Sequence, residues 1–122
     1  MKKSTMAITA LVIIVIAVFF FTRTKEAEAG MYDEFAKCIT GQGAIFYGSF
    51  QCIHCATQKS LFGNSMQYIS YVECGPLGGH QILICQQAGI TGYPSWIIGN
   101  KKYEGVQQLD KLAGLTGCQL PQ

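Results

Sequence analysis

The chain has 122 residues, enough for one small domain, and its 9 Lys/Arg and 7 Asp/Glu form no basic run, which excludes a nucleic-acid-binding surface. From Met31 onward five basic residues face five acidic ones, so the positive excess belongs to the first 30 positions. Six cysteines in so short a chain point to an oxidising compartment and to a thin core helped by disulfides.

Lys2 and Lys3 precede an apolar run, Met6–Phe21, interrupted by Thr9 and closed by Thr22-Arg23. Carried through Thr22 it has 17 residues, the short end of what crosses a bilayer as a helix. Residues 1–22 are read as a membrane anchor that enters the lipid bilayer through residues 6–22. Residues 23–30 are read as a polar tether, and residues 31–122 as the folded domain. The competing reading is a secretory signal cleaved after Ala29, because Ala27-Glu28-Ala29 has the A-x-A form. Arg23, Lys25 and Glu26 lie between the apolar run and that site, which favours the anchor. Lys2, Lys3 and the terminal amine slightly outweigh Arg23 and Lys25. Together with the cysteine content, this predicts a single-pass protein of the cell membrane with its domain on the extracytoplasmic side.

Beyond the tether, Asp33 is a candidate cap for a short helix with Tyr32, Phe35, Ala36 and Ile39 on one face, ended by Gly41-Gln42-Gly43. Ala44–Phe50 reads as a buried strand and Cys52–Phe62 as a helix stopped by Gly63-Asn64. Tyr68–Glu73 alternates as a second strand, and Gly75–Gly79 is a loop. Gln81–Ala88 suits a short helix stopped by Gly89. Ile90–Ile98 carries Pro94 into a third strand, and Gly99-Asn100 turns a hairpin into the strand Lys102–Val106. Leu109, Leu112, Ala113 and Leu115 mark a last amphipathic helix before Gly117. Strand–helix–strand at the front favours parallel pairing, whereas the hairpin is antiparallel. A mixed central sheet with helices on both faces follows, an α/β class.

Chemistry concentrates at Cys52-Ile53-His54-Cys55, where a strand passes into a helix. The unpaired N–H groups and the dipole of a helix N-terminus stabilise a thiolate, the nucleophilic form of cysteine. Cys52 is therefore the candidate nucleophile, and Cys55, one turn in, the candidate resolving thiol. His54 is a candidate tuning residue through partial charge or hydrogen bonding; the bland alternative is an exposed helix residue. A zinc site would need Cys74 and Cys85 as well, but these are separated by a Gly/Pro loop rather than closely paired. No metal or other cofactor is expected.

With Cys-x-His-Cys after the first core strand and Gly92-Tyr93-Pro94-Ser95-Trp96 before the third, the chain resembles the thioredoxin fold. More narrowly, it resembles the thioredoxin-like (DsbA-like) domain fused to, or associated with, bacterial and plant vitamin K epoxide reductase homologues. The residues that carry this are Phe35-Ala36-Lys37-Cys38, Phe46–Phe50, Gln58-Lys59, Leu61-Phe62-Gly63, Tyr71–Cys74, Cys85–Ile90, Gly92–Trp96 and Tyr103–Gln107. They cover the chain from about residue 32 to its end. The resemblance implies a cis peptide before Pro94, lying beside Cys52 and Cys55, with Tyr93 and Pro94 among the groups that bind a substrate peptide. Phe50 joins them as a candidate surface contact. The resemblance also supports reading Cys74 and Cys85 as a structural disulfide, with a redox relay as the alternative. Cys38 and Cys118 are left either paired with each other or free. The chain departs from the pattern at Gln51 and Ile53, where the family more often has Trp and Pro. It departs also at Phe46, where thioredoxin and DsbA carry a buried acid. Without that acid, deprotonating Cys55 falls to water or a substrate group.

The function these features imply is a membrane-anchored thiol–disulfide oxidoreductase. It would oxidise thiols of exported proteins and be re-oxidised by a vitamin K epoxide reductase-like or other quinone-linked membrane oxidase. The same residues also admit a disulfide reductase or isomerase, or a metal-binding protein.

Overall fold

A computed structural model describes residues 2–21 and 29–122. Most of the tether, and with it Ala27 and Glu28 of the cleavage motif, lies outside the described residues. Helix α1, Lys2–Phe21, whose most apolar 18-residue stretch has a mean hydropathy of 2.7, has 20 residues and no buried side chain. At about 1.5 Å per residue it reaches roughly the 30 Å of a hydrocarbon core. By length and composition it is a candidate for a single membrane span. The Thr9 hydroxyl, polar within the apolar run, donates to the Thr5 and Met6 carbonyls at 3.0 and 2.9 Å. No free hydroxyl is then left to be desolvated.

The remaining described residues build a four-stranded sheet flanked by short helices. Helix α2 (Asp33–Gly41) buries Phe35, Ala36 and Ile39. Asp33 does not cap it: Tyr32 holds the cap position, and the Asp33 carboxylate instead accepts from the Gly30 N–H at 3.0 Å. Strand β1 (Ile45–Gly48) follows, then helix α3 (Ile53–Phe62). Gly63, at φ 53°, ends α3 after Phe62 as expected, and the chain does not pass straight into a loop. It tightens into a 3₁₀ segment, Gly63–Tyr68, because buried Ser65 accepts the Tyr32 N–H at 2.9 Å and Met66 and Tyr68 pack on the core. Strand β2 therefore spans only Tyr71–Glu73, three residues shorter at its start than the alternation predicted. Helix α4 is trimmed to Leu83–Gln87, since the Gln81 side chain is engaged by the Tyr93 hydroxyl and the Ile90 carbonyl. Strands β3 (Ser95–Ile98) and β4 (Lys101–Glu104) form the expected hairpin, with Gly99 and Asn100 both at positive φ, 55° and 64°. Helix α5, Leu109–Thr116, closes the fold.

The strand order is β2-β1-β3-β4, with β1 parallel to β2 and antiparallel to β3. This mixed sheet between helices is the thioredoxin fold. Alternation along β1 splits the interior. Phe46 faces the larger core with Phe35, Ile39, Phe62, Trp96 and Leu112, under α2, α3 and α5. Tyr47 faces a smaller cluster with Cys74, Cys85 and Ile90, under α4. That thin second layer is stapled by the Cys74–Cys85 disulfide, with Cα atoms 5.8 Å apart. A second disulfide, Cys38–Cys118, ties α2 to the chain beyond α5 across 80 residues of sequence. Cys52 and Cys55 are the two free thiols among the described residues.

Candidate functional site

The turn from β1 into α3 sets the site. The Cys52 N–H donates to the Ser49 carbonyl at 3.1 Å, folding the chain back before the helix begins. Cys52 then takes the N-cap position in an extended conformation, and its Sγ accepts the Cys55 N–H at 3.3 Å. A cysteine thus fills the role that Ser or Asp usually fills at a helix start. The chain crosses over Cys52 at the end of the loop before β3, where the Cys52 thiol donates to the Tyr93 carbonyl at 3.6 Å. The Tyr93–Pro94 peptide there is cis, and Pro94 is fully buried.

Burial separates the two thiols. Cys52 is 9% exposed, more covered than a helix N-terminus alone implies, and Cys55 is 1% exposed. Burial, reinforced by the hydrogen bond with Cys52, pushes the Cys55 thiol up to about 12. The outer sulfur is nearly covered, under the Tyr93 carbonyl, while the inner one is held as a thiol.

Around Cys52 the surface is apolar. Phe50 and Ile53 are 66% and 76% exposed, and Leu77 is brought alongside by its N–H, which donates to Gln51 Oε1 at 2.9 Å. Tyr93 is half-buried and its hydroxyl accepts from Gln81. Tyr47 and Trp96 are buried and belong to the core. His54 is exposed, and among the described residues it makes no hydrogen bond to Cys52. Cys74 and Cys85, the two sulfurs a zinc site would have to borrow, are bonded to each other on the opposite face of the sheet.

Four residues that carry the resemblance but are not among the candidate site residues, Gly48, Lys59, Tyr71 and Glu73, complete the surroundings of Cys55. A Cβ built on Gly48 would lie 3.0 Å from Tyr71 Cε2 and 3.1 Å from both Tyr71 Oη and Cys55 Sγ. Glycine at this position therefore lets the hydroxyl and the sulfur share the space a side chain would fill. The Tyr71 hydroxyl donates to Glu73 Oε2 at 2.5 Å, and Glu73 Oε1 accepts the Phe50 and Gly75 N–H groups at 3.0 and 3.1 Å. Lys59 Nζ lies 4.0 Å from the centroid of the Tyr71 ring. Burial acts to raise the Glu73 carboxyl, but the hydrogen bonds from Tyr71, Phe50 and Gly75 outweigh it and hold it below the usual range. Burial and the bond to Glu73 raise the Tyr71 phenol. Phe46, at the position of thioredoxin's buried acid, is packed between Trp96 and Tyr71. A glycine inside an otherwise apolar strand was the one signal that could have flagged this close approach.

No family model matches the chain. It is 38% identical over 109 residues to thiol-disulfide oxidoreductase LTO1 of Arabidopsis thaliana, an alignment covering 85% of this chain and 29% of that protein. The chain thus spans less than a third of the length of that plant protein.

Proposed function

We propose that the protein is a membrane-tethered thiol–disulfide oxidoreductase that oxidises the thiols of exported proteins. The observation that carries this reading is the placement of the two free thiols. Cys52 caps α3 beneath the Tyr93 carbonyl, and Cys55 lies one turn behind it, bonded to it through its N–H. The likeness to a plant thiol-disulfide oxidoreductase supports the same chemistry.

In the oxidised form a substrate thiolate attacks Cys52 Sγ. The Cys52–Cys55 bond breaks, Cys55 leaves with the electron pair and takes a proton, and a mixed disulfide joins substrate to Cys52. The second substrate thiolate then attacks the substrate sulfur and releases Cys52 as the thiolate. Substrate loses two electrons and the enzyme pair gains them. An extended substrate segment would lie along the Tyr93-Pro94 backbone, with Phe50 as an apolar contact and His54 at the outer side of the pair. Re-oxidation falls to a quinone-linked membrane enzyme of the vitamin K epoxide reductase type. Residues 1–22 would anchor the protein and residues 23–30 would tether the domain of residues 31–122 outside the membrane, raising the effective concentration of the two enzymes for each other.

Replacing Cys55 by Ala in cells removes the group that can release a bound substrate internally. The Cys52 thiolate of this variant can still attack a disulfide of an exported protein, joining one sulfur and releasing the other as a thiolate. The resulting mixed disulfides should accumulate on non-reducing gels and vanish on adding Cys52→Ser. A Cys55→Ala protein that is expressed in the membrane and captures nothing refutes the reading.

A further inference from the structure

We propose that Glu73, through the Tyr71 hydroxyl, is a positioning residue that keeps the Cys55 sulfur protonated and so slows internal resolution of the mixed disulfide on Cys52. This rests on the exchange reaction above and deepens it. A tyrosine hydroxyl has one proton to give. Here that proton is committed to Glu73 Oε2, so the negative end of the hydroxyl is what remains for the space it shares with Cys55 Sγ beside Gly48. Glu73 is itself fixed by the Phe50 and Gly75 N–H groups and cannot swing away. Cys52 and Lys59 from α3 act on Cys55 directly, Tyr71 of β2 adjoins it beside Gly48, and Glu73 meets it through the Tyr71 hydroxyl. The hydrogen bond with the Ser49 backbone and the charge of Lys59 oppose the effect, favouring the Cys55 thiolate, while burial and the hydrogen bond with Cys52 act in its direction.

The arrangement bears on the direction of exchange. Once a substrate is joined to Cys52, two thiols compete for it. Attack by the substrate's second thiol completes oxidation. Attack by Cys55 on Cys52 Sγ, with loss of the Cys55 proton to solvent and departure of the substrate sulfur as thiolate, returns the substrate reduced. Holding Cys55 as the thiol disfavours the second path and leaves the first open.

The test uses the full chain in detergent, with glutathione joined to Cys52. Glutathione release by Cys55 is followed from pH 6 to 11 by acid quench and mass spectrometry. In Glu73→Gln, Oε1 still accepts the two N–H groups, but Nε2 becomes a donor to Tyr71, whose proton is freed to turn toward Cys55. The inflection of release against pH should fall by at least one unit. Each unit accelerates release at neutral pH about threefold, the tenfold gain in thiolate being partly offset by weaker nucleophilicity. Tyr71→Phe, which keeps the ring packing, should also accelerate release, and in that background Glu73→Gln should change the rate less than twofold. An unchanged inflection in Glu73→Gln, a slower Tyr71→Phe, or an equal effect of Glu73→Gln in both backgrounds overturns the proposal. If the wild-type mixed disulfide is not resolved by Cys55 at any pH, there is no competing path to slow and the proposal fails, while the exchange reading, completed by the substrate's second thiol, is decided separately by the Cys55→Ala trapping experiment.

Discussion

Selective alkylation of the reduced pair probes the burial that distinguishes its two sulfurs. Cys55 is 1% exposed and its thiol is pushed up to about 12, so at pH 8 only about one part in ten thousand is thiolate. An unperturbed cysteine near 8.5 would be roughly one quarter thiolate at the same pH. The difference of about 2,000-fold is partly offset by the greater nucleophilicity of a more basic thiolate, leaving roughly two orders of magnitude from ionisation alone. Reduced full-length protein treated with iodoacetamide, digested and read by mass spectrometry gives both rates at once. Cys55 should label at least 50-fold more slowly than in the same protein in guanidinium at that pH, about the two orders of magnitude just estimated. Its rate should also keep rising with pH through 10, whereas Cys52, the more exposed of the two, labels first. Native Cys55 labelling within about fivefold of its denatured rate would show that the sulfur is neither buried nor held as a thiol, and the argument from burial would fail.

Other consequences follow from the same contacts. Cys55 resists ionisation in the folded reduced protein, whereas in the unfolded chain it ionises near 8.5. Protonation therefore favours the fold, and the contribution is lost as pH rises from there toward 12. Urea titrations should show the reduced form losing about 1–2 kcal/mol between pH 8.5 and 10, a loss absent from the Cys52–Cys55 disulfide form. Gln58 on α3 is fully buried; its Oε1 accepts Trp96 Nε1 and the Gln107 N–H at 3.1 and 2.7 Å, and its Nε2 donates to the Gln107 carbonyl. Gln58→Leu strands these groups and should cost about 3–5 kcal/mol in chemical denaturation, against less than about 1 kcal/mol if the bonds do not hold α3 in place. Removing Cys74 and Cys85 together as serines should cost about 3 kcal/mol by the same measurement, since the bond closes a loop of 11 residues' separation. Exchange at Cys52 should slow as well, because Gly75 and Leu77 of that loop hold Ser49 and Gln51.

The parts of this molecule legible in its sequence are those set by local rules. Gly99-Asn100 admits little other than a hairpin, and Phe35, Ala36 and Ile39 at helical spacing gave α2 with its boundaries. The passage from the apolar Ile45–Gly48 into Cys52–Cys55 placed the thiols at a helix start. What escaped was set by contacts across the sheet. Tyr68–Ser70 alternate like a strand, but β1 offers partners only from Phe46 to Gly48, so the pairing begins at Tyr71. The surroundings of Cys55 escaped for the same reason. Position 46, where an acid was sought and missed, carries a phenylalanine, and its neighbour across the parallel register is Tyr71. Two residues along β2, and therefore on the same face, Glu73 brings a carboxylate to that end of the sheet. The charge is present, but on the adjoining strand and one hydroxyl removed from the sulfur. A carboxylate held ionised by three hydrogen bonds is a poor base for a thiol as weakly acidic as Cys55. It can act on Cys55 by orienting a dipole, which is why the same charge that would assist resolution as a base opposes it here.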